Sequence, residues 1–511
     1  MPRPSRRDFL KLGSLLSGAL AASQLMPGSA HGSPASGTLP SNIIIFVFDA
    51  MSAKNLSLYG YPRKTTPNLE RFAARATVYN QHYAPDNFTT PGTASILTGL
   101  YPWTHRAINE SGLITHSRAQ QNLFNQVGGR YYRIGFSQNV WVDYFFGQFG
   151  GALDKVLSPG SFSLVDQVVS ARFTGDLENS HRAFDDLLFH DKHAPASLVF
   201  GLAQNIQLYE AVVQAENNGD KADVARADNY PIFFRTRDVF DGMLKTISGL
   251  KAPFLAYFHT WSPHSPYLPS HDFAKLFDDD WEPISKPEHV LGEPKAASAA
   301  KIRRKAYDRY IANVDFEFGR LLEGLQANGV LDQSYVVVTS DHGEMFERGI
   351  LGHVTPVLYD PVVRVPLMIS APGQTRRRDV DLPTSSVDLL PTLVQLTGGE
   401  VPAWAEGRVL PGFGAVEDAD RSIFISEAKD SRPFEAWSRA SFALRKGKHK
   451  LIYYMGFEQY ARQDKFELYD IDSDPEELQD LYSEASAMAQ DLRHELLARV
   501  TTENEKYRPA G

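Results

Sequence analysis

The chain has 511 residues, of which 43% are hydrophobic and 22% are charged, enough for one large globular domain and a second, smaller one. Its formal net charge of −9 provides no basic surface overall, so nucleic acid is not expected as a partner. Because the sequence contains no cysteine, disulfides, thiolate metal ligands and a cysteine nucleophile are excluded, and the chemistry must use oxygen and imidazole groups.

The N-terminus reads MPRPSRRDFLKLGSLLSGALAASQLM and places Arg6 and Arg7 ahead of a weakly apolar stretch, residues 12–26. This pattern predicts a twin-arginine export signal over residues 1–30 and a linker over 31–40. A basic amphipathic helix of the fold is the alternative interpretation. The apolar stretch is shorter than the ~20 residues that a bilayer span needs. We therefore expect the twin-arginine translocase as a partner during export, a periplasmic or secreted mature chain, and no transmembrane segment in it.

The first strand is predicted in NIIIFVFDAM, a continuous apolar run with β-branched residues. Such a run is typical of a central parallel strand that is buried on both faces. Asp49 stands at its carboxyl end.

A short helix is predicted in TTPGTASILTG, because Pro91 fits the first helical turn and Gly99 can end the helix. Thr89 and Thr90 then lie at its N-terminal entrance. A hydroxyl there is close to the positive end of the helix dipole, and a bound cation would further favour its ionised form. Thr89 is therefore the candidate nucleophile. The alternative is that one or both threonines only cap the helix.

Two later runs, PFLAYFHTW and YVVVTSDHGE, predict further strands of the same sheet. His259 and His264 lie at or beyond the end of the first run, and Asp341 and His342 end the second. Taken singly, such residues are often helix caps or structural histidines. Ligands of open α/β sheets bind outside the carboxyl ends of the strands, so the three strand ends together indicate one site. Oxygen ligands with imidazole and no sulfur suit Mg²⁺, Mn²⁺, Ca²⁺ or Zn²⁺.

These motifs resemble the sulfatase family of the alkaline phosphatase superfamily. The resemblance covers most of residues 41–485, in the family's order, and rests on NIIIFVFDA, LYGYPRKTTPNLERFA, TTPGTASILTGLYP, PHSPY, DHGEMFERGILGH, LYDPVVRVPLMIS, ALRKGKHKLIYY and FELYDIDSDPEELQDLY.

The resemblance implies an alkaline-phosphatase-like α/β fold and an ester hydrolase. It also implies that Asp49, Asp341 and His342 bind a divalent metal with Thr89, and that His264 and His353 contact the tetrahedral oxyanion of the substrate. The residues expected at the site fall into three groups. The expected metal ligands are Asp49, Thr89, Asp341 and His342. The expected catalytic residues are Thr89 and His264, and the expected substrate-binding residues are His259, His353 and His105.

Two departures from the family affect the expected chemistry. Sulfate-ester hydrolases of the family have a cysteine or serine, converted to formylglycine, where this chain has Thr89, and an arginine where it has Thr93. Threonine is not converted in that way, and a sulfo-threonine would need a second attack at sulfur. A phospho-threonine is released by a second in-line attack at phosphorus. Relatives with threonine at this place act on phosphate esters, which favours phosphoryl chemistry. Lysine is common in relatives where His353 stands, which leaves its role open.

A single metal ion is favoured over two. Relatives with two zinc ions carry an aspartate followed about four residues later by a histidine, and no aspartate stands beside His259 or His264. These histidines are then free to act as a general acid or as charge clamps.

The predicted architecture is an α/β catalytic domain over residues 41–411, with a mainly parallel sheet covered by helices, and a C-terminal α+β subdomain over 412–511 whose last helix spans about 485–505. The section 150–250 matches the family poorly and includes AENNGDKADVARAD, which predicts a polar loop. This section is the expected source of substrate specificity.

The predicted function is metal-dependent hydrolysis or transfer of phosphate diesters or monoesters through Thr89, on a small-molecule, lipid or glycan ester. One alternative is a sulfatase that works without formylglycine. The alternative from another class is an inactive carbohydrate- or lipid-binding protein on the same scaffold.

Overall fold

The computed structural model describes residues 40–110, 112–164, 206, 210, 213–214, 224–227, 232–293 and 297–508. The predicted export signal and the linker up to residue 39 lie outside the described residues, as does most of the section 165–223. Among the helices of the described residues, none combines the length and the apolar character that crossing a membrane requires.

The described strands form one large sheet, one four-stranded sheet and three strand pairs. In chain order they are β1 Asn42–Phe48, β2 Thr77–Tyr79, β3 His82–Tyr83, β4 Tyr132–Ser137, β5 Lys155–Leu157, β6 Val224–Ala227, β7 Ile232–Arg235, β8 Phe254–Thr260, β9 Ser334–Ser340, β10 Met345–Glu347, β11 Ile350–Gly352, β12 Leu367–Ser370, β13 Arg378–Val380, β14 Thr384–Ser385, β15 Ile423–Glu427, β16 Ala440–Lys446, β17 His449–Met455 and β18 Lys465–Asp470.

The helices of the described residues pack on both faces of the large sheet and against the C-terminal sheet. They are α1 Pro67–Ala73, α2 Thr89–Thr98, α3 Pro102–His105, α4 His116–Ala119, α5 Leu123–Val127, α6 Val140–Gln148, α7 Thr236–Ser248, α8 Ala297–Ala327, α9 Asp360–Val363, α10 Leu389–Leu396 and α11 Ala487–Glu505. Short 3₁₀ turns span Ala53–Asn55, Ser57–Tyr59, Gly150–Ala152, His271–Phe273, Leu331–Gln333, Ser386–Asp388 and Glu458–Tyr460.

The large sheet has the strand order β13-β2-β12-β9-β1-β8-β4-β5. Strands β9, β1, β8, β4 and β5 run parallel, and β12 pairs antiparallel with both β9 and β2. The sheet is thus mixed and mostly parallel, which confirms the predicted fold class.

Strand β1 is buried along its whole length because helices cover both of its faces. Its side chains alternate between two apolar layers, as the period of two in a strand requires. Ile44, Phe46 and Phe48 pack with α1, α7 and α8, whereas the intervening side chains pack with α2, α5, α6 and α10. The central strand and its covering helices therefore hold the end of β1 rigidly.

The C-terminal part contains an antiparallel sheet in the order β15-β16-β17-β18, with α11 packed against it. This arrangement confirms the predicted α+β subdomain, and α11 matches the predicted last helix. Lys450 on β17 is fully buried, and its Nζ lies 2.8 Å from both Asp360 Oδ1 on α9 and Glu477 Oε1. A buried ammonium of this kind is tolerated because both carboxylates compensate its charge.

One predicted loop is in part a strand. The last residues of AENNGDKADVARAD form β6, which pairs antiparallel with β7. Their alternating small side chains include Ala225 and Ala227, and both are buried. The preceding polar residues, which lie outside the described residues, led to the prediction of a loop over the whole stretch. The short strand at its end was therefore not predicted.

Candidate active site

The ends of three neighbouring strands bring the predicted site residues together. Strand β1 lies between β8 and β9, with Phe48 paired with Thr260 on one side and with Ser340 on the other. All three strands run parallel, so Asp49, His259 and Asp341 reach the same edge of the sheet. One ligand atom from each of these three side chains lies within 4.8 Å of the others.

Distances inside this group are short but longer than hydrogen bonds. His259 Nε2 lies 3.5 Å from Asp49 Oδ2 and 3.5 Å from Asp341 Oδ2. His342 Nε2 lies 3.4 Å from Asp49 Oδ1 and 3.7 Å from Asp341 Oδ2. All four side chains are buried. Two carboxylates and two imidazoles therefore converge on one small buried space.

The two oxygens of Asp341 have different surroundings. Oδ1 accepts hydrogen bonds from the backbone N–H of Ala50, at 3.2 Å, and from that of His342, at 2.9 Å. Oδ2 has no hydrogen-bond partner among the described residues, and neither has His259 Nε2. Buried polar atoms without partners are costly, so these two atoms mark where a ligand is needed.

The charged side chains of this group shift one another's pKa values. Burial would raise the pKa of Asp49, but the nearby imidazoles of His264, His259 and His342 hold it well below the ordinary value. Burial and the charge of Asp49 raise the pKa of Asp341. Burial opposes protonation of His342, but the two carboxylates raise its pKa to about 9. The two carboxylates thus attract positive charge, either the proton that His342 holds or a bound cation in its place.

Thr89 is the first residue of α2, and its hydroxyl faces the same space. Thr89 Oγ1 lies 3.5 Å from Asp49 Oδ1 and 3.3 Å from His342 Nε2. Gly92, one turn into the helix, packs on the end of β9, where a Cβ would overlap the carbonyl oxygen of Asp341. The glycine therefore allows the N-terminus of α2 to approach the carboxylates closely.

Thr90 is separated from this space. It is buried, and its hydroxyl donates a hydrogen bond to the carbonyl oxygen of Glu110. The two adjacent threonines therefore have different surroundings, with only the Thr89 hydroxyl beside Asp49 and His342.

Three histidine rings pack against one another, tilted or edge-on, beside the carboxylates. The ring centroid of His353 lies 4.2 Å from that of His342 and 4.9 Å from that of His264. His264 is partly exposed, and its Nδ1 lies 2.6 Å from the carbonyl oxygen of Ser265, so that Nδ1–H donates and Nε2 is left for another partner. His353 Nδ1 lies 3.0 Å from Glu344 Oε1. Burial and the other two imidazoles hold the pKa of His353 well below its ordinary value.

The C-terminal subdomain reaches this region through Lys429. Its Nζ donates to the carbonyl oxygen of Thr355, at 2.8 Å, and to Glu427 Oε1, at 2.9 Å. The same Nζ lies 5.7 Å from the ring centroid of Phe88, which precedes Thr89. A cation from the C-terminal subdomain therefore lies near the residue that precedes Thr89.

His105 is fully buried, and both of its ring nitrogens have hydrogen-bond partners within the protein. Its Nδ1 accepts the backbone N–H of Ala107 at 3.1 Å, and its Nε2 lies 3.0 Å from Ser95 Oγ. Burial lowers its pKa to about 3. Substrate binding by His105 stays a prediction without a supporting contact among the described residues.

Comparison with known proteins identifies the family. The model for "Sulfatase" matches residues 41–191 and 202–399, and the model for "N-sulphoglucosamine sulphohydrolase, C-terminal" matches residues 355–506. The chain belongs to the sulfatase family.

Curated relatives of this sulfatase-family chain include enzymes with different names. It is 23% identical to the choline-sulfatase of Rhizobium meliloti (strain 1021) over 86% of this chain and 82% of the relative. It is 26% identical to a multifunctional alkaline phosphatase superfamily protein, PehA, of Trinickia caryophylli, over 69% of this chain and 72% of the relative.

Solved structures share the fold at low sequence identity. The phosphonate monoester hydrolase of Silicibacter pomeroyi has a TM-score of 0.64 at 20% identity, covering 91% of this chain and 96% of its own. A structure described as BT4656 in complex with its substrate D-glucosamine-2-N,6-O-disulfate has a TM-score of 0.61 at 18% identity, covering 92% of this chain and 98% of its own. Sulfatases and phosphonate monoester hydrolases are thus both neighbours of this sulfatase-family protein.

A divalent cation, as expected for the family, fits the residues of this sulfatase-family site. Two carboxylates supply the charge, and Asp341 Oδ2 and His259 Nε2 are buried and unpartnered among the described residues. The sequence predicted Asp49, Asp341, His342 and Thr89 as ligands, and these side chains do converge. His259, predicted to bind substrate, lies against the same carboxylates.

Sequence reasoning missed Asn139, which follows β4 and caps α6. Its Nδ2 donates to Asp49 Oδ2 at 2.8 Å and to Thr89 Oγ1 at 3.3 Å. Strand β4 lies next to β8 in the sheet, with Ser137 paired with His259. A signal was available, because the run YYRIGFSQN ends a fourth strand at the same edge.

Proposed function

We propose that this sulfatase-family protein is a metal-dependent hydrolase or phosphotransferase of phosphate esters, with Thr89 as the nucleophile. The observation that carries the proposal is the position of Thr89 Oγ1. It lies at the N-terminus of α2, 3.5 Å from Asp49 Oδ1 and 3.3 Å from His342 Nε2. A hydroxyl beside a cation site and a helix N-terminus is well placed to ionise and attack.

The proposed ligands of the cation are Asp49, Asp341 and His342, with Thr89. When bound, a divalent ion there supplies positive charge that favours the ionised hydroxyl and offsets the charge on the transferred group. Asn139 orients the nucleophile, since its amide donates to Thr89 Oγ1 and to Asp49 Oδ2.

The proposed reaction has two in-line steps at phosphorus. Thr89 Oγ attacks, its proton passes to solvent, and the P–O bond to the alcohol breaks while His264 gives a proton to the departing oxygen. Water then attacks the phosphothreonine and loses a proton to His264. The P–O bond to threonine breaks, Thr89 regains a proton, and the product leaves as phosphate from a monoester or as a phosphate monoester from a diester. In the transferase variant an alcohol replaces the water.

The side-chain hydroxyl of Thr89 favours phosphorus over sulfur as the reacting centre. Formylglycine hydrate expels sulfate by collapsing to an aldehyde, and threonine has no second geminal oxygen for that collapse. Attack at phosphorus needs no such collapse, because both steps are equivalent displacements. The similarity to a phosphonate monoester hydrolase supports phosphorus chemistry on this fold.

A sulfatase without formylglycine is the second candidate, because the matching family model and the choline-sulfatase relative carry that name. The substrate in either case is an ester of a small molecule, lipid or glycan. A related structure that contains a sulfated glucosamine supports a glycan among these classes.

The test is a panel of nitrophenyl esters with the metal-loaded protein: phosphate monoester, phosphate diester, phosphonate and sulfate. Phosphate or phosphonate esters should turn over fastest. Thr89→Ala should lower kcat/KM by at least ~10³-fold, and Thr89→Ser should retain part of it. Thr90→Ala is the matched control, since the Thr90 hydroxyl donates to the carbonyl of Glu110 and contacts neither Asp49 nor His342 among the described residues. Preferred turnover of the sulfate ester selects the second candidate, and no turnover of any ester favours a binding protein.

A further inference from the structure

His259 lies in an unusual position for a substrate-binding residue. It is fully buried at the end of β8, and its Nε2 is 3.5 Å from one oxygen of each carboxylate, Asp49 Oδ2 and Asp341 Oδ2. That nitrogen forms no hydrogen bond with any described residue. It points at the space between the carboxylates, not toward a solvent-exposed cleft.

The spacing of the polar atoms distinguishes metal ligation from hydrogen bonding. An N–H···O bond measures about 2.7–3.2 Å, which is shorter than both His259 contacts. Ligands held ~2.1–2.3 Å from one ion, at octahedral to tetrahedral angles, lie roughly 3.0–3.7 Å apart. The contacts of His259 at 3.5 Å, and those of His342 Nε2 at 3.4 and 3.7 Å, fall within that interval.

The other ring nitrogen of each histidine is occupied. His342 Nδ1 lies 2.9 Å from the carbonyl oxygen of Gly343, an acceptor only, so this nitrogen carries the proton. His259 Nδ1 lies 3.4 Å from the hydroxyl of Tyr257, a long and therefore weak hydrogen bond in which either atom can donate. In both rings Nδ1 has a partner and Nε2 is directed at the carboxylates, where a metal ion would displace any proton from Nε2. Partners of this kind commonly orient metal-binding histidines.

Tyr257 is rigidly held. It lies two residues before His259 on β8, so both side chains project from the same face of the strand. Its ring is fully buried, with edge contacts to Phe124 at 6.3 Å and to Phe146 at 5.9 Å between centroids. The phenol therefore cannot turn away from the imidazole without disturbing the packing of the apolar layer.

We propose that His259 is a ligand of the metal ion through Nε2 and that Tyr257 is its positioning residue. The inference rests on the metal-dependent part of the proposed function. The resulting donor set is Asp49, Asp341, His259, His342 and the hydroxyl of Thr89. Two imidazoles among the ligands disfavour Ca²⁺ and Mg²⁺, which take oxygen ligands, and suit Mn²⁺ or Zn²⁺. The site therefore selects a dication of the Mn²⁺ and Zn²⁺ class.

The test measures metal binding without any substrate. Protein freed of metal by chelation is titrated with Zn²⁺, Mn²⁺ and Ca²⁺ in competition with a chromogenic chelator, and Co²⁺-loaded protein is examined by visible absorption. The protein should bind Zn²⁺ at least ~10²-fold more tightly than Ca²⁺. His259→Asn should weaken Zn²⁺ binding and change the Co²⁺ spectrum. Tyr257→Phe should weaken Zn²⁺ binding about 10- to 100-fold.

Tyr79→Phe is the matched control for Tyr257→Phe. Tyr79 is equally buried on the same sheet, but its hydroxyl donates to the carbonyl oxygen of Pro411, so Zn²⁺ affinity should be unchanged. The proposal is overturned if Ca²⁺ binds more tightly than Zn²⁺, or if a folded His259→Asn keeps the affinity and the Co²⁺ spectrum. Should His259→Asn fail to fold, an unchanged Zn²⁺ affinity in Tyr257→Phe overturns the positioning role. A wrong ester assignment leaves these readings unaffected.

Discussion

Asn139 offers the sharpest test of how the nucleophile is held, because its side chain has two separable roles. Its Oδ1 accepts the backbone N–H of Trp141 at 3.1 Å and caps α6. Its Nδ2 donates to Asp49 Oδ2 at 2.8 Å and to Thr89 Oγ1 at 3.3 Å. Asn139→Ser keeps a good helix cap but is too short to reach the carboxylate, whereas Asn139→Ala loses both roles.

The magnitudes follow from these contacts. A hydrogen bond to a charged group contributes about 1.5–3 kcal/mol. Each ~1.4 kcal/mol added to the activation free energy lowers the rate tenfold. If the amide holds Asp49 and Thr89 in the reactive arrangement, Asn139→Ser should lower kcat/KM about 10- to 150-fold. Its stability should fall only by the cost of the donor that buried Asp49 loses, because the helix cap is kept. Asn139→Ala should lose the same activity and, in addition, about 1 kcal/mol of stability from the missing cap.

The assay combines steady-state kinetics on the best ester of the panel with denaturant unfolding of each variant. Metal content is measured in parallel, so that a loss of ions is not mistaken for misalignment. An Asn139→Ser variant with unchanged kcat/KM would refute the reasoning. So would equal stability losses in the two variants, because the cap would then not be separable from the donor.

Three further predictions concern the metal, acid stability and export. Asp341→Asn should lower metal content and turnover together, since an amide is a weaker ligand for a dication; full occupancy with normal turnover would contradict this. Burial lowers the pKa of His82 to about 3, so the folded protein keeps this ring neutral while the unfolded chain protonates it below pH 6.5. Stability from this residue is present above pH 6.5 and lost as pH falls, about 2 kcal/mol by pH 5. His82→Asn should therefore flatten the unfolding free energy between pH 6.5 and 5, and an unchanged slope would count against it. We propose that the protein is exported through its paired arginines; replacing Arg6 and Arg7 by lysine should retain it in the cytoplasm, and normal periplasmic accumulation would exclude that route.

The fold and the location of the site were predictable from the sequence. Long apolar runs mark the central strands, and the polar residues directly after each run mark the edge of the sheet where the site lies. The apolar, β-branched run before Asp49 is typical of a strand buried on both faces, and the same holds for the run before Asp341. Parallel strands share one carboxyl edge, so convergence of these side chains followed without any tertiary information.

The finer arrangement of the site depends on tertiary contacts that a sequence does not display. His259 and His264 are five residues apart, and the pattern alone does not reveal that only His259 points between the carboxylates. Its orientation depends on the strand pairing and on the phenol of Tyr257. Asn139 similarly reaches Thr89 only because β4 pairs with β8.

The most direct test of the central claim is an acid quench of the metal-loaded protein during turnover of a phosphodiester, followed by mass spectrometry of its peptides. We expect one phosphoryl or phosphodiester group on Thr89, absent in Thr89→Ala and present in Thr90→Ala. A group on Thr90, or normal turnover by Thr89→Ala with no modified peptide, would contradict it.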